Sequence, residues 1–466
     1  MEKAKHGNLT LLSLKRRKEC LWGCKCMGIP YKELTLSEFE KLVSDTNSSI
    51  ICGNGLSINF DNRLLMNNLG KSLYRAHCTW KAHSNYKIIS NAAFKDGLKT
   101  NYSGAKKIIT RIKSEEDIEN FFKCAISFVY QIVEDGNVVK WLNDNGFNSN
   151  LVFGISQIDI LNEIISQAKT KSVLCVNYEY WSLVVYFVLA LYNAPDDVYT
   201  LDKTNIFVDA VLTGGQYSFT KQQSKFSGAS IIAETVINGV AIYLRFLFAI
   251  NILMDGSGVN TIEFSNWDRL NISKVNELFS KFDHLITTNY DLLIENITNR
   301  TVKHLHGEYS KNENVVFYQS MSVLLGTSKF DLSTIIVGDY FGGKTFFINT
   351  AQGCAGKFPN SSVQFYSKIL EDIIKKQKTK TFVLFGLCAD NDYHIIRDLQ
   401  VYMGLEKTKN AEIVFCYYDE YAKNGFLDVY EKCITYSSEL SNFVRNNIKL
   451  SLIDSKEILG KYFISR

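Results

Sequence analysis

The chain has 466 residues, 46% hydrophobic and 21% charged, which is enough to bury a large core and too apolar for wholesale disorder. Its 52 basic and 48 acidic residues leave a formal net charge of +4, too even a balance for a nucleic-acid-binding face; Lys15-Arg16-Arg17-Lys18 reads as a solvated terminal stretch. The 11 cysteines are odd in number and form no paired Cys-x-x-Cys knuckles, even where Cys20, Cys24 and Cys26 cluster, so reduced thiols are expected rather than a disulfide scaffold or a metal site.

In chain order, residues 1–48 read as a basic lead-in followed by a short helix, because Thr35 and Glu38 have capping-box spacing ahead of Phe39, Leu42 and Val43. The run Ser49-Ile50-Ile51-Cys52 predicts a strand, and a helix is expected to begin at Arg63-Leu64-Leu65. From 105 to 265 the periodicity turns helical, with segments at 115–133, 158–168, 181–192 and 229–254, and Gly214-Gly215 and Gly228 bracket a polar loop. The most apolar stretch, 231–254, is interrupted by Glu234, Asn238 and Arg245 and so reads as a buried core helix, not a membrane span. No secretory signal is evident at the N-terminus, and a soluble, cytoplasmic protein is expected.

Strand–helix alternation resumes near Asp283. Strands are predicted at 284–287, 301–304, 315–318, 334–337, 382–385 and 413–417, and helices at 292–297, 363–375 and 393–402. This order predicts an α/β fold, a doubly wound, mostly parallel, Rossmann-like sheet carrying a large helical insertion. The expected division is a lead-in at 1–48, a nucleotide-binding domain at 49–104 and 266–420, the helical insertion at 105–265, and a helical or irregular tail at 421–466.

Four short motifs stand where predicted strands give way to loops, the place where open α/β sheets bind ligands. They are Gly53-Asn54-Gly55-Leu56-Ser57, Thr287-Thr288-Asn289-Tyr290-Asp291, His304-Leu305-His306-Gly307, and Gly386-Leu387-Cys388-Ala389-Asp390-Asn391-Asp392. Gly53 and Gly55 allow backbone to approach a pyrophosphate, and Asn54 and Ser57 add side-chain donors. Asn289 can hydrogen-bond a ribose hydroxyl or a water through either end of its amide, and Asp291 can accept from a ribose hydroxyl. A histidine, with an ordinary pKa of about 6.5, can serve as general base. His304 and His306 share one face if 301–306 is extended, so spacing leaves the base open between them. Asp392 has two readings, a ligand contact or a cap on the helix from Tyr393.

A rival motif is Gly338-Asp339-Tyr340-Phe341-Gly342-Gly343-Lys344-Thr345, which fits a phosphate-binding loop and with Asp419-Glu420 after 413–418 would make an ATPase using Lys344. Phe346-Phe347-Ile348-Asn349-Thr350 reads as extended where that motif needs a helix, and the rival leaves the Asn-x-Asp and His-Gly motifs unexplained.

Together the four motifs, with Ile336-Val337, the Gly342-Gly343-Lys344 turn, the run 366–370 and His394-Ile395, resemble the sirtuin superfamily, and within it the bacterial sirtuin-like proteins of anti-phage defence. The likeness covers roughly 48–420 apart from the helical insertion. It departs from protein-deacetylating sirtuins at Asn54, at Cys388 in place of a serine, and in lacking their zinc module, which weakens the deacylase reading. The resemblance implies an NAD hydrolase that needs no metal and releases nicotinamide and ADP-ribose. In it His306, the histidine directly before glycine, is the base, and Asn289 and Asp291 hold water and ribose. The positions Gly53, Asn54, Gly55, Ser57, Thr288, Gly386, Cys388 and Asp392 line the NAD site. It further implies NAD depletion on infection, self-assembly into homo-oligomers, and in some relatives a ring-shaped ATPase partner. A catalytically silent sensor of NAD or ADP-ribose is the remaining alternative.

Overall fold

The computed structural model describes residues 29–82, 95–148, 156–215, 231, 235, 238–253, 269–305, 309–310, 321–325, 328–332, 366–389, 391–434 and 438–464. The described strands are β1 (Lys32–Glu33), β2 (Ser48–Cys52), β3 (His284–Thr287), β4 (Val302–His304), β5 (Tyr309–Ser310), β6 (Met321–Leu325), β7 (Ser328–Leu332), β8 (Thr381–Phe385), β9 (Ala411–Tyr417) and β10 (Ile448–Asp454). Seven of them form an all-parallel sheet in the order β1-β10-β9-β8-β2-β3-β4, and β5, β7 and β6 form a small antiparallel sheet. The α/β class and the parallel, doubly wound sheet are as the alternation predicts.

Strands buried on both faces read as continuous apolar runs, which is why 284–287 and 382–385 were legible. Successive side chains alternate between two cores. Ile50, Cys52, Val383, Phe385, Val414 and Ile453 pack with Phe39, Phe60, Phe279, Leu293 and Ile458 on one side. Ile51, Ile286, Phe382, Leu384, Phe415 and Leu452 pack with Leu370, Ile395, Leu399 and Phe426 on the other. The capping box forms: the Glu38 amide donates to Thr35 Oγ1 (3.3 Å), and the Thr35 amide donates to Glu38 Oε2 (2.9 Å).

From β2 the chain builds outward through β3 and β4, and later builds the opposite way through β8, β9 and β10. The border between β2 and β8 is therefore the topological switch point, beside which doubly wound sheets leave a crevice. Register matters as much as order. Phe385 pairs with Cys52, Cys52 with Thr287, and Thr287 with His304, so four strands end level at their carboxyl edge.

A third core belongs to helices threaded between β2 and β3. Phe121, Phe122, Trp181, Leu183, Tyr243 and Phe246 lie at its centre. This helical unit begins earlier than the expected 105, because Leu69, Leu73, Ala76 and Trp80 of helix Met66–Ala82 are buried in the same core. Within the expected 229–254 segment, helix covers Gly239–Leu253. No helix among the described residues is long and apolar enough to cross a membrane.

One further expectation is corrected. The segment 421–466, read as a helical or irregular tail, contributes β10, paired with β9 from Ile448↔Ala411 to Asp454↔Tyr417. Its alternation of Ile448, Leu450 and Leu452 with Lys449 and Ser451 is a period-two strand pattern set between two helices. The helix expected from 63–65 is present, entered by the 3-10 turn Asn62–Leu64 and running over Met66–Ala82, and a separate short helix, Asn54–Phe60, starts directly after Gly53. His306 and Gly307, the strands expected at 315–318 and 334–337, the loop 338–345 with Lys344, and residues 15–18 lie outside the described residues.

Candidate functional site

All four motifs reach the level edge, the His-Gly motif through His304. Beside the switch point the loops after β2 and β8 are in backbone contact: the Gly53 amide donates to Phe385 O (2.8 Å) and the Gly55 amide to Gly386 O (2.9 Å). Gly386 has φ +72°, a left-handed conformation that favours glycine. A Cβ at Gly53 would lie 2.4 Å from Gly386 O, and one at Gly386 would lie 2.3 Å from the Leu56 nitrogen. The sequence reading assigned these glycines to a pyrophosphate. In the structure their bareness lets two loops pack on one another.

The next strand end carries the polar network. After β3 the Thr288 amide and the Thr287 hydroxyl both donate to Cys52 O, each at 2.9 Å, which ties the Asn-x-Asp loop to the end of β2. The Asn289 amide turns back to Thr287 Oγ1 (3.0 Å). Asn289 Nδ2 donates to Ser57 Oγ (2.7 Å), and the Ser57 hydroxyl donates to Asp291 Oδ2 (3.0 Å). Asp291 Oδ1 accepts the Leu293 amide (3.1 Å) at the start of helix Leu293–Thr298. Each donor has one acceptor, so the amide of Asn289 and the proton of Ser57 have a consistent direction.

Ser57 is wholly buried, whereas Thr288, Asn289 and Asp291 retain a small exposure. Ser57 was expected to touch ligand; it stands behind Asn289 and Asp291 and orients both. Asn54 is exposed, with its Nδ2 3.5 Å from Leu64 O. Burial raises the Asp291 pKa to about 6 and the nearby Glu295 charge adds to the rise; the Leu293 amide, the Ser57 hydroxyl and His304 oppose it. Near neutral pH Asp291 is therefore mostly ionised yet close to its titration point.

His304 ends β4 with both ring nitrogens engaged, Nδ1 with Asn289 O (2.7 Å) and Nε2 with Glu295 Oε1 (2.5 Å). Both partners are acceptors, an arrangement that suits an imidazolium. The ring is buried and fixes the backbone of Asn289. Glu295 was not foreseen. It stands in the first turn of helix Leu293–Thr298, and nothing local to the motif announced it.

In the loop after β8, the Cys388 amide donates to Asp392 Oδ2 (3.1 Å) and the Asp392 amide donates to Cys388 O (2.8 Å). Asp392 thus closes the 388–392 turn, and its carboxylate makes no cap on helix Tyr393–Leu405. The Cys388 thiol is exposed. Asp419, the acidic residue that the ATPase reading needs after β9, accepts the Ala422 amide (2.8 Å) at the start of helix Glu420–Ile434. Among the described residues no group of three or more His, Cys, Asp or Glu side chains could hold a metal ion.

Chemically, the edge offers a carboxylate, a carboxamide of fixed direction and a narrow backbone floor. That combination suits holding vicinal hydroxyls and a polarised water better than it suits nucleophilic attack by a side chain. No family model, curated protein or solved structure matches this chain.

Proposed function

We propose that this chain is an NAD hydrolase, cleaving the nicotinamide–ribose bond with water to give nicotinamide, ADP-ribose and a proton. One observation carries the reading: Ser57, Asn289 and Asp291, from motifs more than two hundred residues apart, share one hydrogen-bonded network beside the switch point of a doubly wound sheet.

Nicotinamide departs as a neutral base, so the leaving group needs little help. The ribose carbon becomes cationic, and the task is to hold the sugar and guide water. Asn289, its amide set by Ser57, would position the water or a ribose hydroxyl. Asp291 would accept from a ribose hydroxyl and set negative charge near the cation. His306 is the proposed base that takes the proton from water. The 53–55 and 386–388 loops would face the remainder of the dinucleotide.

By the resemblance, such an enzyme would act in the cytoplasm to deplete NAD during infection, as a homo-oligomer or with an activating partner such as a ring-shaped ATPase. The test is nicotinamide release from NAD by purified protein beside His306→Ala and Asn289→Ala. Release by the wild type with a loss of about a hundredfold or more in each variant supports the assignment. Release that survives both substitutions refutes the site. Binding of NAD without release by any form, with or without lysate from infected cells, would favour the sensor reading.

A further inference from the structure

Tyr290 stands between Asn289 and Asp291, yet its side chain belongs to the helical unit. Its ring packs against that unit's core. It meets Phe248 of helix Gly239–Leu253 edge to face, with centroids 5.8 Å apart and planes at 85°. Phe248 in turn stacks on Tyr178 at 4.9 Å. The Tyr290 hydroxyl donates to Glu179 Oε1 (2.9 Å), a hydrogen bond to a carboxylate and so of the stronger kind.

Glu179 is itself held within the helical unit. It lies in the 3-10 turn Tyr178–Tyr180, where its amide donates to Asn177 Oδ1 (3.2 Å), and the Asn177 amide donates to Gln167 Oε1 (2.8 Å) on helix Gln157–Thr170. A shift of this turn relative to the sheet would therefore pull on the residue flanked by Asn289 and Asp291. On its other side, the loop is tied to β2 through Thr287 and Thr288 and to β4 through His304. The Asn-x-Asp loop is thus strung between the sheet and the helical unit, with Tyr290 as its only described aromatic link to the latter.

We propose that Tyr290 is a positioning residue through which the packing of the helical unit sets the alignment of Asn289 and Asp291. The helical unit then governs turnover without touching the substrate, by holding or releasing the Tyr290–Glu179 contact. This rests on the hydrolase reading for its kinetic readout, but the coupling has a readout of its own.

The experiment uses full-length Tyr290→Phe, Glu179→Gln and the double variant. Tyr199→Phe serves as control, since Tyr199 bonds Gln131 elsewhere in the helical unit. Nicotinamide release and amide exchange at Thr288, Asn289 and Leu293 are measured on each. Tyr290→Phe keeps the ring, so a purely packing role would leave both readouts unmoved. The expected result is a fall in kcat of about tenfold in each single variant, with KM near the wild-type value and the double variant no lower than the singles. Exchange at the three amides should quicken in the same variants and stay at the wild-type rate in Tyr199→Phe. Unchanged exchange in Tyr290→Phe and Glu179→Gln, or effects that add in the double variant, overturns the coupling. Quickened exchange in a protein that releases no nicotinamide upholds the coupling and rejects the hydrolase.

Discussion

Replacing Asp291 with asparagine removes a buried charge while nearly preserving its shape. The Asp291 pKa, raised to about 6, lies above the ordinary value of 3.8, so the folded state binds this proton more tightly than the unfolded chain. Stability from this group is fully present below the unfolded value and is lost as pH rises through about 6. A shift of roughly two units corresponds to about 3 kcal/mol over the full range, of which about half is already gone at pH 5. Between pH 5 and pH 8 the wild type should therefore lose on the order of 1 kcal/mol that Asp291→Asn does not lose. Asparagine can still accept the Leu293 amide, and its Nδ2 can donate to Ser57 if the Asn289 amide turns over. The variant should accordingly stay folded, be the more stable form at pH 8, and release no nicotinamide. The assay is urea denaturation at both pH values, with the difference between proteins taken at each. Stability curves that run parallel between pH 5 and pH 8 would refute the reasoning, because Asp291 would then titrate in the native state as it does unfolded.

Other consequences follow from the packing. Gly386→Ala forces a side chain into a left-handed backbone and against the Leu56 nitrogen, and should cost about 2–3 kcal/mol or more, read as a thermal midpoint lower by several degrees. An unchanged midpoint would mean that the two glycine loops are not in contact. Thr35→Ala removes the capping box at the N-terminus of helix Leu36–Asp45 and should cost about 1 kcal/mol while leaving nicotinamide release as it was.

How much could be read from residues alone depended on whether the signal was local. The runs at β3 and β8 announce themselves because both faces are buried, and the Thr35–Glu38 box needs four residues to be recognised. The helix from Asn54 was hidden by Gly-Asn-Gly, a turn signal in isolation, which packing against Gly386 overrides. β1 could not have been foreseen from Lys32-Glu33; it is a strand because β10 offers it a free edge. The motifs named Ser57, Asn289 and Asp291, but their mutual hydrogen bonds, the buried position of Ser57 and the raised pKa of Asp291 are products of register across β2 and β3. Tyr290 read as a spacer in its motif, and nothing local announced its aromatic partners in the helical unit.

The threading of the helical unit between β2 and β3 also sets a timetable. Ser57 is made 234 residues before Asp291, and at roughly 5–20 residues per second the ribosome needs about ten to fifty seconds to span that gap. Throughout it β2 has neither β3 nor β8 to pair with, while the helices, rich in local contacts, can already condense. Tyr290 then emerges to a helical core that is waiting for it, and β8 arrives later still to close the floor under Gly53. A nascent chain therefore holds its scaffold long before its site, and the proposed hydrolase activity would be withheld until synthesis of the fold is nearly done.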